Sequence, residues 1–201
     1  MIFRSRHRLL SALTLVMALP LFAADTYKID AVHSEASFRI RHLVSKASGR
    51  FAQFQGTIVV DPVHIGKSSV EVTIDAASIN TASDARDKHL RSADFFDVEK
   101  FPTITFQSTH VKEVAKGKLE VTGTLTMHGV AKTIVIPMSN LGTSPGMKPG
   151  TVVAGFEGAL KLNRSDYGIK TYLGPVGDEV EISLNVEAGK VDPTPQGVPH
   201  A

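Results

Sequence analysis

The first place to look for chemistry in this chain is Gly142-Thr143-Ser144-Pro145-Gly146, which has the G-x-S-x-G form of a nucleophile elbow. Such an elbow needs a strand-to-helix turn, and the residue after the serine must supply an oxyanion-hole N–H. Here that residue is Pro145, which has no N–H, and no helical pattern follows. The segment reads as a hairpin loop. Gly66-Lys67-Ser68 has the ending of a phosphate-binding loop, but Asp61 stands where the first glycine is required and Val70 onward alternates like a strand. The histidines after the first 24 residues, His33, His42, His64, His89, His110, His128 and His200, form no His-x-His or helical His-x-x-x-His pair. His42 and His110 share the apolar parity of their segments and read as single core or mouth histidines. Most carboxylates fall on the polar parity of alternating segments, as a solvated face. No catalytic residue, metal ligand or cofactor site is nominated, and an enzyme is not expected.

Arg4, Arg6 and Arg8 precede an apolar run from Leu9 to Phe22, too short to span a bilayer comfortably, with Ala23 and Ala24 before Asp25. Residues 1–23 read as a signal peptide cut after Ala23 or Ala24, which predicts export to the periplasm. The alternative is an uncleaved anchor. Cysteine is absent, which removes disulfides, thiolate metal sites and lipoprotein anchoring from consideration. Three of the 22 basic residues lie in the leader and none of the 20 acidic ones does, so the mature chain is near neutral. With no basic cluster, nucleic acid is not expected as a partner.

Residues positioned by this chain sit mainly on strands. Ala36, Phe38, Ile40 and His42 alternate with Glu35, Ser37, Arg39 and Arg41. The same period of two runs through Val70–Asp75, Thr103–His110, Lys118–Met127, Ala154–Leu162 and Glu179–Val186. With Gly49–Val60, Lys132–Leu141 and a short strand near Tyr27–Asp30, the pattern predicts an all-β chain of about eight antiparallel strands. An up-and-down, lipocalin-like barrel leaves no long edge exposed; a two-sheet sandwich is the alternative. Thr81-Ala82-Ser83-Asp84 is a capping-box-like start, predicting one short helix near residues 84–92, followed by an aromatic loop across one end of the barrel. A single domain over residues 24–188 is expected, with residues 189–201 as a disordered tail.

An eight-stranded barrel is either filled by side chains or wide enough for one ligand. The dry parity mixes Phe38, Phe54, Phe106 and Phe156 with Ala36, Ala52, Gly56, Gly123, Ala154 and Gly158. Small residues on several strands fit a cavity, and they also fit the taper of a filled barrel. The pattern leaves both open.

Several segments carry a resemblance. Tyr27-Lys28-Ile29-Asp30 with His33-Ser34, Phe38–Leu43, and above all Arg86-Asp87-Lys88-His89-Leu90-Arg91-Ser92-Ala93-Asp94-Phe95-Phe96-Asp97 resemble the YceI-like family of exported lipocalin-like proteins. Phe101–Phe106, Gly123–Val130, Arg164–Ile169 and Val176–Val180 continue the likeness in order, so that it covers Asp25 to about Glu187. The resemblance implies a periplasmic barrel that binds a polyisoprenoid chain, such as an isoprenoid quinone, without a catalytic step. On that reading the expected wall is Phe38, Ile40, Phe54, Ile104, Phe106, Leu125, Phe156, Leu160 and Ile182. Leu90, Phe95 and Phe96 would turn inward as a lid, and Arg86 and His89 would sit at the rim beside a polar head group. Equally, Arg86 and Asp87 could simply tie the helix to the wall. A lipid of about 40 heavy atoms, at roughly 0.3 kcal/mol each, would reach about −12 kcal/mol. Transient membrane contact and a homodimer stay open as further partners. The competing functions are a ligand-free structural protein of the stressed envelope and an isoprenoid-modifying enzyme. For export, intact-mass measurement of protein from the soluble envelope fraction should give a chain starting at Ala24 or Asp25. A full-length species pelleting with membranes would refute it.

Overall fold

Alternating β-branched and polar residues become eleven antiparallel strands in the computed structural model, which describes residues 24–191. They are β1 (Asp25–Ile29), β2 (Glu35–His42), β3 (Ser45–Phe51), β4 (Phe54–Val60), β5 (Ser69–Asp75), β6 (Ile79–Asn80), β7 (Thr103–Ala115), β8 (Lys118–Met127), β9 (Val130–Pro145), β10 (Val152–Asn163) and β11 (Val176–Lys190). One helix, α1 (Asp84–Arg91), interrupts them. Residues 1–23, where a signal peptide is expected, and residues 192–201 lie outside the described residues.

The strands follow one another around a single sheet that closes on itself. One edge of β11 pairs with β2 from Val176 to Asn185 and with β1 from Ala188 to Lys190. Since β1 and β2 run on along that edge, and β3 leads into β4, the ring is an eight-stranded up-and-down barrel. Gly189 and Lys190, expected as the start of a tail, belong instead to β11. They close the barrel through Lys28 and Tyr27, Lys190 Nζ reaches Asp25 at 2.7 Å, and the Val191 N–H donates to Thr26 O.

Two bulges alter the expected facing. In β7 an extra residue, Thr109, lies between the pairs Ser108–Gly123 and His110–Thr122. Parity flips there, so Val111 enters the core while His110 is exposed, against its expected inward place. In β9 Leu141 is the extra residue opposite Gly155 and Phe156, and it is exposed. Beyond it the strand resumes and pairs to Pro145, so Gly142–Pro145, expected as loop, belong to the sheet.

The glycines on the dry face do not line empty space. A Cβ at Gly123 would lie 2.5 Å from the Phe106 ring and from Gln107 O; one at Gly49 would lie 2.6 Å from Phe38, and one at Gly56 2.7 Å from Ile29. Gly158 is covered by Met138. Large neighbours lie over small residues, the taper arrangement, and any cavity must lie elsewhere. Gly123→Val should therefore destabilise the fold by about 1–3 kcal/mol through overpacking. Urea denaturation would show this as a lower midpoint, and an unchanged midpoint would contradict the close packing.

Candidate functional site

The two ends of the barrel differ. At one end lie the Lys116-Gly117 hairpin, the 146–151 hairpin and the 3-10 turn Ile65–Lys67. Here Tyr27, Ile58, Ala154, Phe156 and Ala188 pack into one buried cluster, and Phe106, Val111, Leu119, Val121 and Ile136 into a second that Ile65 packs against. Side chains narrow that end, and Ile58, Ile65, Val111, Leu119 and Phe156 also border the cavity that continues toward the other end. Toward the other end the inward residues change character. Phe38, Ile40, Leu160, Leu162, Val180, Ile182 and Leu184 face the inside of a closed barrel, yet each is only half-buried. The surface they keep is the wall of a cavity of about 480 Å³, within the range of small-molecule sites.

All twelve expected wall and lid residues border this one cavity: Phe38, Ile40, Phe54, Leu90, Phe95, Phe96, Ile104, Phe106, Leu125, Phe156, Leu160 and Ile182. Arg86 and His89 border it as well. The lining is overwhelmingly apolar, so water gains little there and an apolar chain gains much. A second recess, of about 590 Å³, lies over the outer face of β2, β3 and β11. Arg39, Arg50, Glu35 and Glu181 line it, with serines between them, and it opens to water. Mixed charges in an open groove offer little to an apolar ligand, so the smaller, apolar cavity inside the barrel is the candidate site.

The segment between β5 and β7 covers the open end; β6 attaches it to β3 through the pairs Arg50–Asn80 and Phe51–Ile79, and polar contacts within the segment fix α1 against residues 77–81. Asp87 is buried on α1 and accepts from both the N–H of Thr81, at 2.9 Å, and the Thr81 hydroxyl. Arg86 donates from Nε to Thr81 Oγ1 and from Nη2 to Thr81 O, each at 2.7 Å. Arg91 donates to the carbonyls of Ala77 and Ile79. The guanidinium of Arg86 thus ties α1 to Thr81, just after β6, rather than to a wall strand, and its side chain also borders the cavity. The capping box does not form. Ser83 at the N-cap makes no side-chain bond, and the Thr81 hydroxyl goes to the Asp87 carboxylate.

Below the helix, His89 Nε2 is 3.0 Å from Asp94 Oδ2, and its ring lies 5.1 Å from Phe95 and 6.1 Å from Tyr172. These three rings border the cavity together. The alternation could not reveal Tyr172, because it belongs to an irregular loop. Arg164 was also missed except as part of the family likeness. It is buried, its Nε donates to Gly177 O, and its other nitrogens reach the carbonyls of Ile169, Thr171 and Val176. Burial lowers its pKa, with Asp178 opposing. The Asp178 carboxyl is held below its ordinary value chiefly by the Ser165 hydroxyl. Arg164 thereby fixes the 165–177 loop that carries Tyr172. His128 Nδ1 contacts Tyr167 O at 3.0 Å from the neighbouring hairpin.

Among the described residues one group has metal-ligand types in mutual reach: Asp30, His33 and Glu187, with ligand atoms within 4.8 Å of one another. Sequence spacing did not find it because Glu187 comes from the far end of the chain. It lies outside the barrel, where His33 Nδ1 pairs with Asp30 Oδ2 at 2.9 Å. Hydrogen bonding to Asp30 raises the pKa of His33, and the same contact lowers that of Asp30.

Residues 27–188 match the YceI-like domain family. The chain belongs to the YceI-like family. It is 46% identical over 170 residues to a UPF0312 protein of Pseudomonas aeruginosa, covering 82% of this chain and 86% of the relative. A UPF0312 protein of Vibrio cholerae is 41% identical over 181 residues, with 87% and 93% covered. Among solved structures, Burkholderia cenocepacia BcnA aligns with a TM-score of 0.70 at 26% identity, over 79% of this chain and 98% of BcnA. The Campylobacter jejuni YCEI protein aligns at 0.68 and 33%, over 76% and 90%. A polyisoprenoid binding domain from Saccharophagus degradans shares the fold at 0.63 with 17% identity, over 82% and 98%. The resemblance of the Arg86–Asp97 segment thus belongs to a YceI-like barrel whose helix is latched across one end.

Asp87→Ala should cost about 3 kcal/mol, since it strands the buried N–H and hydroxyl of Thr81. Hydrogen exchange should then show residues 77–101 opening well before the strands. Uniform loss of protection would mean that the helix is part of the barrel's own cooperative unit.

Proposed function

We propose that this YceI-like protein is exported to the periplasm and there holds a long apolar lipid of the polyisoprenoid type, an isoprenoid quinone or similar, inside its barrel. The observation that carries the reading is the ring of half-buried apolar side chains around a cavity of about 480 Å³ in an otherwise well-packed barrel. Protein interiors rarely leave such volume unfilled. Apolar walls suit a chain bound by its length, with polar contacts only at the mouth. That a domain of the same fold from Saccharophagus degradans binds polyisoprenoid supports the same ligand class here. The polar groups beside the cavity are spent on holding the structure, Arg86 and Arg164 on backbone carbonyls and Thr81, which favours a binding protein over a catalyst.

Purification from the envelope, organic extraction and mass spectrometry test this directly. About one isoprenoid-bearing lipid per barrel is expected. Leu160→Trp, which fills the wall opposite Ile182, should reduce copurifying lipid several-fold with little change in stability. An empty extract from wild type would favour a ligand-free structural protein, and equal lipid in both proteins would place the chain outside this cavity.

A further inference from the structure

Two turns beside the cavity mouth carry apolar side chains that the fold does not need there. The hairpin between β2 and β3 presents Leu43 and Val44, and the 168–175 loop presents Tyr172 and Leu173. Val44 is fully exposed, and Leu43 and Tyr172 are each 58% exposed. The two turns form one surface. The Leu43 N–H donates to Pro175 O at 2.8 Å, and Arg41 donates to the carbonyls of Leu43, Gly174 and Pro175. Leu43 (φ 50°) and Tyr172 (φ 55°) both hold left-handed backbone conformations that larger side chains seldom adopt. The patch is continuous with the opening, because His42, Tyr172 and Val176 border the cavity itself. Of the other exposed apolar residues, Val63 and Met147 sit on turns at the packed end and Val114 on the last part of β7 beside it, while Val32, Val135, Leu141 and Val191 are scattered singly.

Charge on the two turns is one-sided. Residues 39–46 contain Arg39, Arg41 and Lys46, residues 168–175 contain Lys170, and neither stretch has an acidic residue. Lys46 is paired with Glu181 on β11 at 2.7 Å, whereas Arg41 and Lys170 form no ion pair among the described residues. Apolar side chains beside cations that have no carboxylate partner match an interface of headgroups and acyl chains carrying negative charge. No helix among the described residues is long and apolar enough to cross a membrane, so the contact would be peripheral.

We propose that this patch docks the cavity mouth onto a membrane surface containing anionic lipids. Leu43, Val44 and Leu173 enter the headgroup region, Lys170 faces the phosphates, and Arg41, whose N–H groups hold the two turns together, adds its positive charge beneath them. The proposal rests on the reading that the cavity takes an apolar chain, since such a chain reaches the barrel from a bilayer without crossing water. It also assigns the 168–175 loop and the β2–β3 hairpin, rather than α1, as the membrane-facing side of the opening.

The chain contains no tryptophan, so a single introduced one reports cleanly. Val44→Trp should show a blue-shifted emission on mixing with phosphatidylglycerol vesicles. The shift should be much smaller with phosphatidylcholine vesicles and should fade as salt rises. Val63→Trp, at the packed end, should not shift. In the tryptophan-free protein, Val44→Asp with Leu173→Ser should weaken sedimentation with phosphatidylglycerol vesicles about tenfold, while lipid extracted from the purified protein stays unchanged. Docking is overturned by an unshifted Val44→Trp, by an equal shift of Val63→Trp, or by equal sedimentation of the double variant. A shift that appears without vesicles and tracks dimer formation in light scattering would assign the patch to a second copy and overturn it too. Failure of the lipid extraction in wild type overturns the cavity reading instead, independently of the vesicle results.

Discussion

The pairing of one edge of β11 with two different strands is the constraint on which the rest depends. β2 takes most of that edge and β1 its last three residues, so the first and last strands of the domain seal the ring. Every other strand of the ring already has two neighbours, the short β6 pairing with β3 alone, and closure satisfies the backbone groups that an open edge would expose. It also fixes the circumference. Eight strands enclose a width that side chains can just fill, and whether they fill it is decided residue by residue.

That choice is made differently at the two ends. Toward the packed end, Phe156, Tyr27 and Ile58 pack together from β10, β1 and β4, and Ile65 packs from its turn against the second cluster. Toward the open end the wall carries Ile40, Leu160, Leu162, Val180 and Ile182, aliphatic side chains too short to meet at the axis, and a space remains. A space lined this way cannot hold polar groups without cost, so the polar contacts that close it are withdrawn to the cover. Thr81, Asp87, Arg86 and Arg91 form one set, and Arg164 with its carbonyl partners forms the other. Each buried charge has hydrogen-bond partners, which makes its burial tolerable and gives the cover a defined position. The aromatic rings of His89, Phe95 and Tyr172 then meet between the two sets.

Binding at this site would therefore divide between rigid and less rigid parts. The wall is built into continuous hydrogen-bonded ladders and cannot open without breaking them. The cover is joined by side-chain bonds and short turns, which is where a barrel can yield at least cost.

Much of this was legible in the residues. Period-two alternation specified which side chains face inward on β2, β5, β8, β10 and β11, because the pleat puts successive residues on opposite faces whatever the remainder of the chain does. Turn chemistry and the one non-alternating stretch specified the number of strands and the place of α1, and the Arg86–Asp97 segment pointed to the family. Contacts distant in sequence were decided only by the tertiary structure. The bulge at Thr109 sent His110 outward and Val111 inward, because register depends on the partner strand. The glycines proved to be covered by Phe38, Phe106, Ile29 and Met138, because whether a small residue leaves a void depends on what stands across from it. Arg86 and Asp87 were joined in holding Thr81 only once Thr81 was seen beside them, and Tyr172 joined the site from a loop with no period at all. Alternation reports which face a residue occupies; which residues share that face, and what space they leave, depends on closure of the barrel in three dimensions.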